Sequence, residues 1–163
     1  MNNIPKSRRS WREKLMDQRD LPKIQPIPSE LVGRWGLQEG DYMVIPSPLE
    51  VDEVMRQVPP GKLITLNELR KKLAEKHGVA TCCPMTTSIF VLYVARAAAE
   101  SAREGEQDVT PYWRTLKPGG VINDRYPGGI ELQRKLLEAE GHRIIKKGFK
   151  YIVADLEESL IEL

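Results

Sequence analysis

Two stretches in the middle of the chain repeat apolar residues at helical spacing and begin with helix-start signals. In SPLEVDEVM, Ser47 can cap a helix, Pro48 fits its first turn and Glu50 completes a capping box. In TLNELRKKLAEKHG, Thr65 and Glu68 have the same spacing as a second capping box. The apolar stripe of this second stretch consists of Leu66, Leu69 and Leu73. The pattern therefore predicts two consecutive amphipathic helices.

Two more helices and a hairpin are predicted in the second half of the chain. A third helix begins near Pro84, and because residues 89–95 are apolar without a break, we expect it to be buried on every side. The fourth, IELQRKLLEAEG, ends at Gly141. Its inward-facing residues are predicted to be Leu132, Leu136 and Leu137. The tail alternates around Gly148, which predicts a β-hairpin.

Residues 1–46 have a different character and predict an extended N-terminal arm. SWREKLMDQ predicts a short helix, the proline-containing LPKIQPIPSE favours extended chain, and GDYMVIP predicts a strand. Four apolar residues can fix the arm onto a domain: Trp11, Ile24, Ile27 and Trp35.

The order of these elements predicts the fold class. We expect a mainly α protein with small β elements, in which residues 47–163 form a winged-helix or helix-turn-helix-like domain that ends in the hairpin. The arm, residues 1–46, precedes this domain.

Composition and charge narrow the classes of function. With 40% hydrophobic and 29% charged residues, the chain fits a globular protein. It has no apolar run of the ~20 residues that a membrane span needs and no secretory signal at its start, so we expect a cytoplasmic protein without a membrane partner. The net charge is +2, but residues 1–35 contain eight Lys or Arg against four Asp or Glu. This basic arm either follows a phosphate backbone or is a solvated tail.

The cysteines and histidines do not suggest a metal site. Cys82 and Cys83 are adjacent, while His77 and His142 are distant from one another. Neighbouring cysteines form strained disulfides, and this spacing is not that of zinc ligands. We expect reduced thiols, no metal and no cofactor.

Several short motifs occur in an informative order. A G-K-x-x-T segment opens the second helix, P-x-x-R follows the third, and Y-x-G-G and L-L-x-x-E-G come after it. Their residues are Gly61, Lys62, Thr65, Pro111, Arg114, Tyr126, Gly128, Gly129, Leu136, Leu137, Glu140 and Gly141. In this order and spacing, residues 48–143 resemble the C-terminal domain of alkylguanine-DNA alkyltransferases, the methylated-DNA-protein cysteine methyltransferase family.

The resemblance implies a function and also a departure from it. Members of this family bind duplex DNA, rotate a damaged guanine into a pocket and transfer its alkyl group to the cysteine of P-C-H-R. Here that motif is PYWR, with Tyr112 at the cysteine position and Trp113 at the histidine position. A phenol is a poor nucleophile at neutral pH and an indole cannot act as a base, so we expect no alkyl transfer and no catalytic residue. Glu140 remains but has nothing left to orient.

A branch of the family, the alkyltransferase-like proteins, lacks the active-site cysteine and binds alkylated guanine without reacting. By this resemblance, a vestigial pocket is expected at Pro111, Tyr112, Trp113, Arg114, Tyr126, Gly128, Gly129 and Glu140. Tyr112 and Trp113 either line this pocket and stack on a base or fill the space where it was.

The expected DNA-binding residues are Lys62, Thr65, Thr86, Thr87 and Ser88. The family's phosphate-turning tyrosine corresponds to Leu66, and no arginine stands near Ser88, where the family inserts one into DNA. The hydroxyls of residues 86–88 either bind phosphates or cap their own helix.

Three functional hypotheses follow. The first is a non-catalytic, alkyltransferase-like protein that binds duplex DNA, senses alkylguanine and works with a repair protein. The second is a winged-helix module that binds protein, with the pocket plugged by aromatic rings and no role on DNA. The third is an enzyme that uses Cys82 or Cys83, since both precede a helix start, where thiol pKa values fall.

Overall fold

A computed structural model describes residues 9–162. The helices in this range are α1 (Trp11–Met16), α2 (Pro48–Arg56), α3 (Leu66–His77), α4 (Pro84–Arg103), α5 (Gly129–Ala139) and α6 (Leu156–Ser159). The strands are β1 (Lys23–Pro26), β2 (Tyr42–Ile45), β3 (Ile64–Thr65), β4 (Thr81–Cys82), β5 (Thr115–Leu116), β6 (Ile144–Lys147) and β7 (Lys150–Val153). The prediction of a mainly α protein with small β elements is confirmed.

The start of α2 follows the predicted capping box. The Ser47 hydroxyl accepts the amide of Glu50 at 3.2 Å, and the Glu50 carboxylate accepts the amide of Ser47 at 3.0 Å. The second predicted box is wrong. Thr65 does precede α3, but its side chain makes no capping bond. Thr65 belongs to β3 and is buried, so strand pairing sets its backbone before the helix begins.

Three small sheets connect distant parts of the chain. β2 pairs with β1 in antiparallel and with β4 in parallel orientation, so the segment before α2 is joined to the segment before α4. β3 pairs in parallel with β5, which places the start of α3 beside residues 115–116. β6 and β7 form the predicted hairpin around Gly148, whose φ of 62° lies in the left-handed region that favours glycine.

The N-terminal segment packs on α4 through Trp11. Its ring centroid lies 5.5 Å from that of Tyr93, 4.0 Å from the Lys14 ammonium and 4.7 Å from the Arg96 guanidinium. Glu100 accepts the Trp11 amide at 3.0 Å. Ile27 is also buried, whereas Ile24 and Trp35 are exposed. The boundary at residue 46 stays a prediction, and residues 1–8 of the arm, with Lys6 and Arg8, lie outside the described range.

Two expectations about inward faces are wrong. Ile89 on α4 is 44% exposed, although residues 91, 92, 94 and 95 are buried. Leu132 on α5 is exposed, while Leu137 is buried in the core. Leu132 packs instead over the helix start, where a Cβ on Gly128 would lie 2.5 Å from its side chain. Within the described residues, no helix has the length and apolar character required to cross a membrane.

Candidate functional site

Tyr112 is part of the hydrophobic core. The chain makes a single 3-10 turn at Tyr112–Arg114 before it enters β5. The Tyr112 side chain is only 4% exposed, and its ring meets Trp113 at 5.4 Å and Tyr126 at 5.3 Å, both nearly edge-on. Edge-to-face contacts of this kind are favourable between aromatic quadrupoles. The ring at the expected nucleophile position therefore fills space inside the protein.

Glu140 is the polar centre of the site. Its carboxylate accepts the indole N–H of Trp113 at 3.0 Å and two N–H groups of Arg114, from Nε at 2.7 Å and Nη2 at 3.0 Å. Arg114 also donates to the carbonyl of Val58 at 2.7 Å, and the Gly61 amide lies 3.5 Å from Glu140. The expectation that Glu140 has nothing to orient is wrong, because tryptophan keeps an N–H donor although it has lost the basic nitrogen.

The Glu140 carboxylate is held in its charged form. Burial by itself raises the pKa of Glu140, but the hydrogen bonds from Arg114 and Trp113 outweigh it and bring the pKa below the ordinary value for a glutamate. Both partners of the Glu140–Arg114 pair are largely buried. A two-pronged guanidinium–carboxylate pair in this setting fixes the geometry of the turn at residues 112–114.

A second set of contacts closes the site from the side of α5. The Tyr126 hydroxyl donates to the carbonyl of Thr115 at 3.0 Å, and burial raises the pKa of this phenol. Gln133, which is fully buried, donates to the carbonyl of Trp113 at 3.1 Å and accepts the amide of Asn123 at 2.9 Å. Sequence reasoning missed Gln133. The sequence signal for Gln133 is that a polar residue interrupts the apolar stripe of α5 that includes residues 130 and 137.

The glycines of the Y-x-G-G segment shape the turn into α5. Gly128 and Gly129 have φ values of 80° and 64°, a conformation that other residues rarely adopt. Pro111 lies just before the turn of Tyr112 and is half-buried. The eight residues expected at the vestigial pocket lie in three places: the turn at 111–114, the loop at 126–129 and the end of α5.

The residues expected to bind DNA differ in their access to solvent. Lys62 and Ser88 are exposed and Thr86 is half-buried. Thr65 and Thr87 are buried, so they cannot contact a phosphate in this structure. The hydroxyl of Thr87 is also already used, because it donates to the carbonyl of Cys83 at 2.7 Å, inside the first turn of α4.

The other two hydroxyls at the start of α4 also bond locally. Ser88 donates to the carbonyl of Pro84 at 2.9 Å, and Thr86 lies 3.2 Å from the sulfur of Cys83. Of the two roles left open for these hydroxyls, the geometry favours bonding within their own helix. Phosphate binding by Thr86 and Ser88 stays a prediction.

The two cysteines have different surroundings. Cys82 lies in β4 with no exposed surface, and burial raises the pKa of its thiol to about 11. The expectation of a lowered thiol pKa is therefore wrong for Cys82. Cys83 occupies the N-cap position of α4 without a capping bond from its side chain, and it is half-buried. Among residues 9–162, no group of three or more His, Cys, Asp and Glu residues is arranged to hold a metal ion.

The aromatic cluster lines none of five grooves formed by the described residues. Other residues form these five grooves, and none of the grooves includes Tyr112, Trp113 or Tyr126. The burial of Tyr112 between two other rings favours a filled site over a lined pocket.

Comparisons with known proteins give few matches. No protein-family model matches the chain, and no curated protein matches it either. Among solved structures, the chain is similar to S. pombe Atl1 in complex with damaged DNA containing O6-carboxymethylguanine, with 19% identity and a TM-score of 0.47 over 71% of this chain and 94% of that chain. It is also similar to S. pombe ATL in complex with DNA, with 19% identity and a TM-score of 0.45 over the same shares of the two chains. Likeness of this degree assigns neither a family nor a function to the chain.

Proposed function

We propose that this chain is a non-catalytic, alkyltransferase-like protein that binds duplex DNA and contributes to the repair of alkylated DNA. One observation carries the proposal: three motifs that are separated in sequence meet at one carboxylate. Glu140 from L-L-x-x-E-G binds Arg114 from P-x-x-R and approaches the amide of Gly61 from G-K-x-x-T. Y-x-G-G joins this cluster through the contact between Tyr126 and Tyr112.

The proposal assigns the helix-turn-helix to α3 and α4. These helices follow one another with only residues 78–83 between them, and α4 is the helix that would lie on DNA. Lys62, Thr86 and Ser88 are the proposed phosphate contacts. The described part of the basic arm supports a smaller role, because Arg9 and Arg12 are paired with Asp17 and Glu100. A repair protein that recognises the bound chain is a proposed further partner.

The site supports binding without chemistry. Burial raises the pKa of the Tyr112 phenol above its ordinary value, so the nucleophilic phenolate is even scarcer at neutral pH than in a free tyrosine. Trp113 offers its single N–H to Glu140 and has no basic nitrogen.

The burial of Tyr112 also bears on lesion sensing. An alkylguanine base can enter the vestigial pocket only if Tyr112 leaves its place between Trp113 and Tyr126. We infer that the chain binds duplex DNA without a preformed base pocket, so that discrimination of alkylguanine from guanine falls to the proposed repair partner and not to Tyr112.

A second candidate function is a protein-binding module. Met85 is 73% exposed and Ile89 is 44% exposed, one turn apart at the start of α4. A helix that reads DNA presents mainly polar side chains there, whereas two exposed apolar side chains suit a protein partner.

Duplex binding at different salt concentrations separates the two candidates. With a labelled, undamaged duplex, we expect binding at about 50 mM salt that weakens steeply by about 200 mM. Lys62→Ala is expected to weaken binding to all sequences and to reduce the slope of log K against log salt by about 0.9, because one phosphate contact is lost.

The matched control is Lys23→Ala, which removes an exposed lysine from β1, on the other side of β2 from β4. It is expected to bind as the unaltered chain does. Absence of duplex binding at low salt would overturn the DNA proposal and leave the protein-binding module.

A further inference from the structure

The tip of the C-terminal hairpin carries a group of side chains that the fold does not use. Phe149 is 100% exposed, so its ring contributes nothing to the core. It lies between Gly148 and Lys150 at the turn, and Lys147 precedes Gly148. A fully exposed phenylalanine beside lysines is unusual on a surface, because burial of an apolar side chain lowers the free energy of the protein.

The hairpin carries basic side chains and no acidic ones. Residues 142–154 contain Arg143, Lys146, Lys147 and Lys150 and no Asp or Glu. None of the ion pairs found between described residues includes Lys146, Lys147 or Lys150. The strand register sets Lys147 directly opposite Lys150. Like charges in this position repel each other, and a polyanion bound across the tip would relieve the repulsion.

The hairpin is held firmly enough to present these groups. The Ile122 amide donates to the carbonyl of Tyr151 at 2.8 Å, Val121 bridges to Ile152, and Val153 is buried in a core cluster. Only the tip projects beyond these contacts, so Phe149 stands on an anchored platform.

An open groove of about 380 Å³ lies beside the tip. Its lining combines aromatic, apolar and charged groups: Lys117, Pro118, Val121, Ile122, Asp124, Ile130, Phe149, Lys150 and Tyr151. Lys117 is paired with Asp124 at 3.4 Å, whereas Lys150 is unpaired among the described residues. The groove therefore places the exposed ring of Phe149 beside the unpaired ammonium of Lys150.

We propose that the hairpin tip is a separate binding site for single-stranded nucleic acid. Lys146, Lys147 and Lys150 contact the phosphates, and the ring of Phe149 stacks on an unpaired base. A lone strand is favoured over a duplex because stacking needs a base whose face is free. The site lies outside the aromatic cluster and α4, and the proposal does not depend on duplex binding by those elements.

The test uses the full chain and a labelled oligothymidylate at low salt. Phe149→Ala is expected to weaken binding about 5- to 150-fold, the effect of losing one base stack, whereas Phe149→Tyr keeps a ring and binds as the unaltered chain does. The double variant Lys147→Ala/Lys150→Ala is expected to reduce the salt slope by about 1.4, for two phosphate contacts on a single strand. Lys23→Ala serves as the charge control and leaves binding unchanged.

Each alternative outcome has a definite meaning. Because Phe149 contacts no core residue, an unchanged Tm of Phe149→Ala shows that the fold is intact. The proposal is overturned if Phe149→Ala binds the oligonucleotide as the unaltered chain does. It is also overturned if the substitution weakens binding to vesicles of anionic phospholipid and not to the oligonucleotide. If duplex binding depends on Lys62 and the hairpin variants change nothing, this inference fails while the proposed function stands. If binding of the single strand depends on Phe149 and the chain does not bind duplex DNA, this inference stands while the proposed function fails.

Discussion

Replacing Tyr112 by alanine is expected to lower the free energy of unfolding by about 4 kcal/mol, because a buried aromatic ring is lost and a cavity remains. The ring is 4% exposed and makes two edge-on contacts, with Trp113 and Tyr126. Each such contact adds about 0.5–1.5 kcal/mol beyond simple burial. Urea unfolding, monitored by circular dichroism, measures the change.

Two controls separate the ring from general effects of substitution. Tyr112→Phe keeps both edge-on contacts and is expected to cost less than about 1.5 kcal/mol. Tyr42→Ala removes an exposed tyrosine from β2 and is expected to cost about 1 kcal/mol or less. If Tyr112→Ala costs no more than Tyr42→Ala, then Tyr112 does not fill the site.

Replacing Glu140 by glutamine is expected to lower the free energy of unfolding by about 3 kcal/mol, since it leaves the largely buried Arg114 without its counter-charge. Glutamine has nearly the same shape, so the effect reports the charge and the hydrogen bonds more than packing. The loss of the acceptor for the Trp113 indole is part of the same change.

The effect of Glu140→Gln depends on pH in a defined direction. Because the pKa of Glu140 is lowered in the folded state, its contribution is fully present above the unfolded value of about 4.3 and is lost as pH falls through the folded value. The difference in stability between the unaltered chain and the variant is therefore largest near neutral pH and shrinks in acid.

The control for Glu140 lies on the same helix. Glu138 pairs with Arg134 one turn away on the exposed face of α5, at 2.8 Å, and Glu138→Gln is expected to cost about 0.3–0.5 kcal/mol. Equal effects of the two substitutions at neutral pH would contradict the central role of the Glu140 carboxylate.

The sequence predicted those parts of the fold whose signals are local. The Ser47 capping box, the left-handed Gly78 at the end of α3 and the hairpin around Gly148 each depend on residues a few positions apart. The box at Thr65 has the same local pattern, yet it fails because pairing of β3 with a segment about 50 residues away sets the backbone there. The two-residue strands have too few positions to show a period.

The aromatic site could also be predicted from the sequence only in part. The motif order brought Arg114, Tyr126 and Glu140 into one hypothesis, and they do lie in one cluster. That Tyr112 fills the site could not be predicted, because lining and filling a pocket need the same residue types. The buried Gln133 was missed since its two partners, the Trp113 carbonyl and the Asn123 amide, are backbone groups without a sequence signal.

The most direct test of a filled, non-catalytic site is a parallel titration with two duplexes that differ only in one alkylated guanine, followed by the mass of the intact protein. We expect the two affinities to agree within about twofold and the mass to stay unchanged, because the buried Tyr112 ring fills the space between Trp113 and Tyr126 and its phenol is a poor nucleophile. Binding of the alkylated duplex about tenfold tighter or more, or a mass increase of one alkyl group on Tyr112, would contradict it.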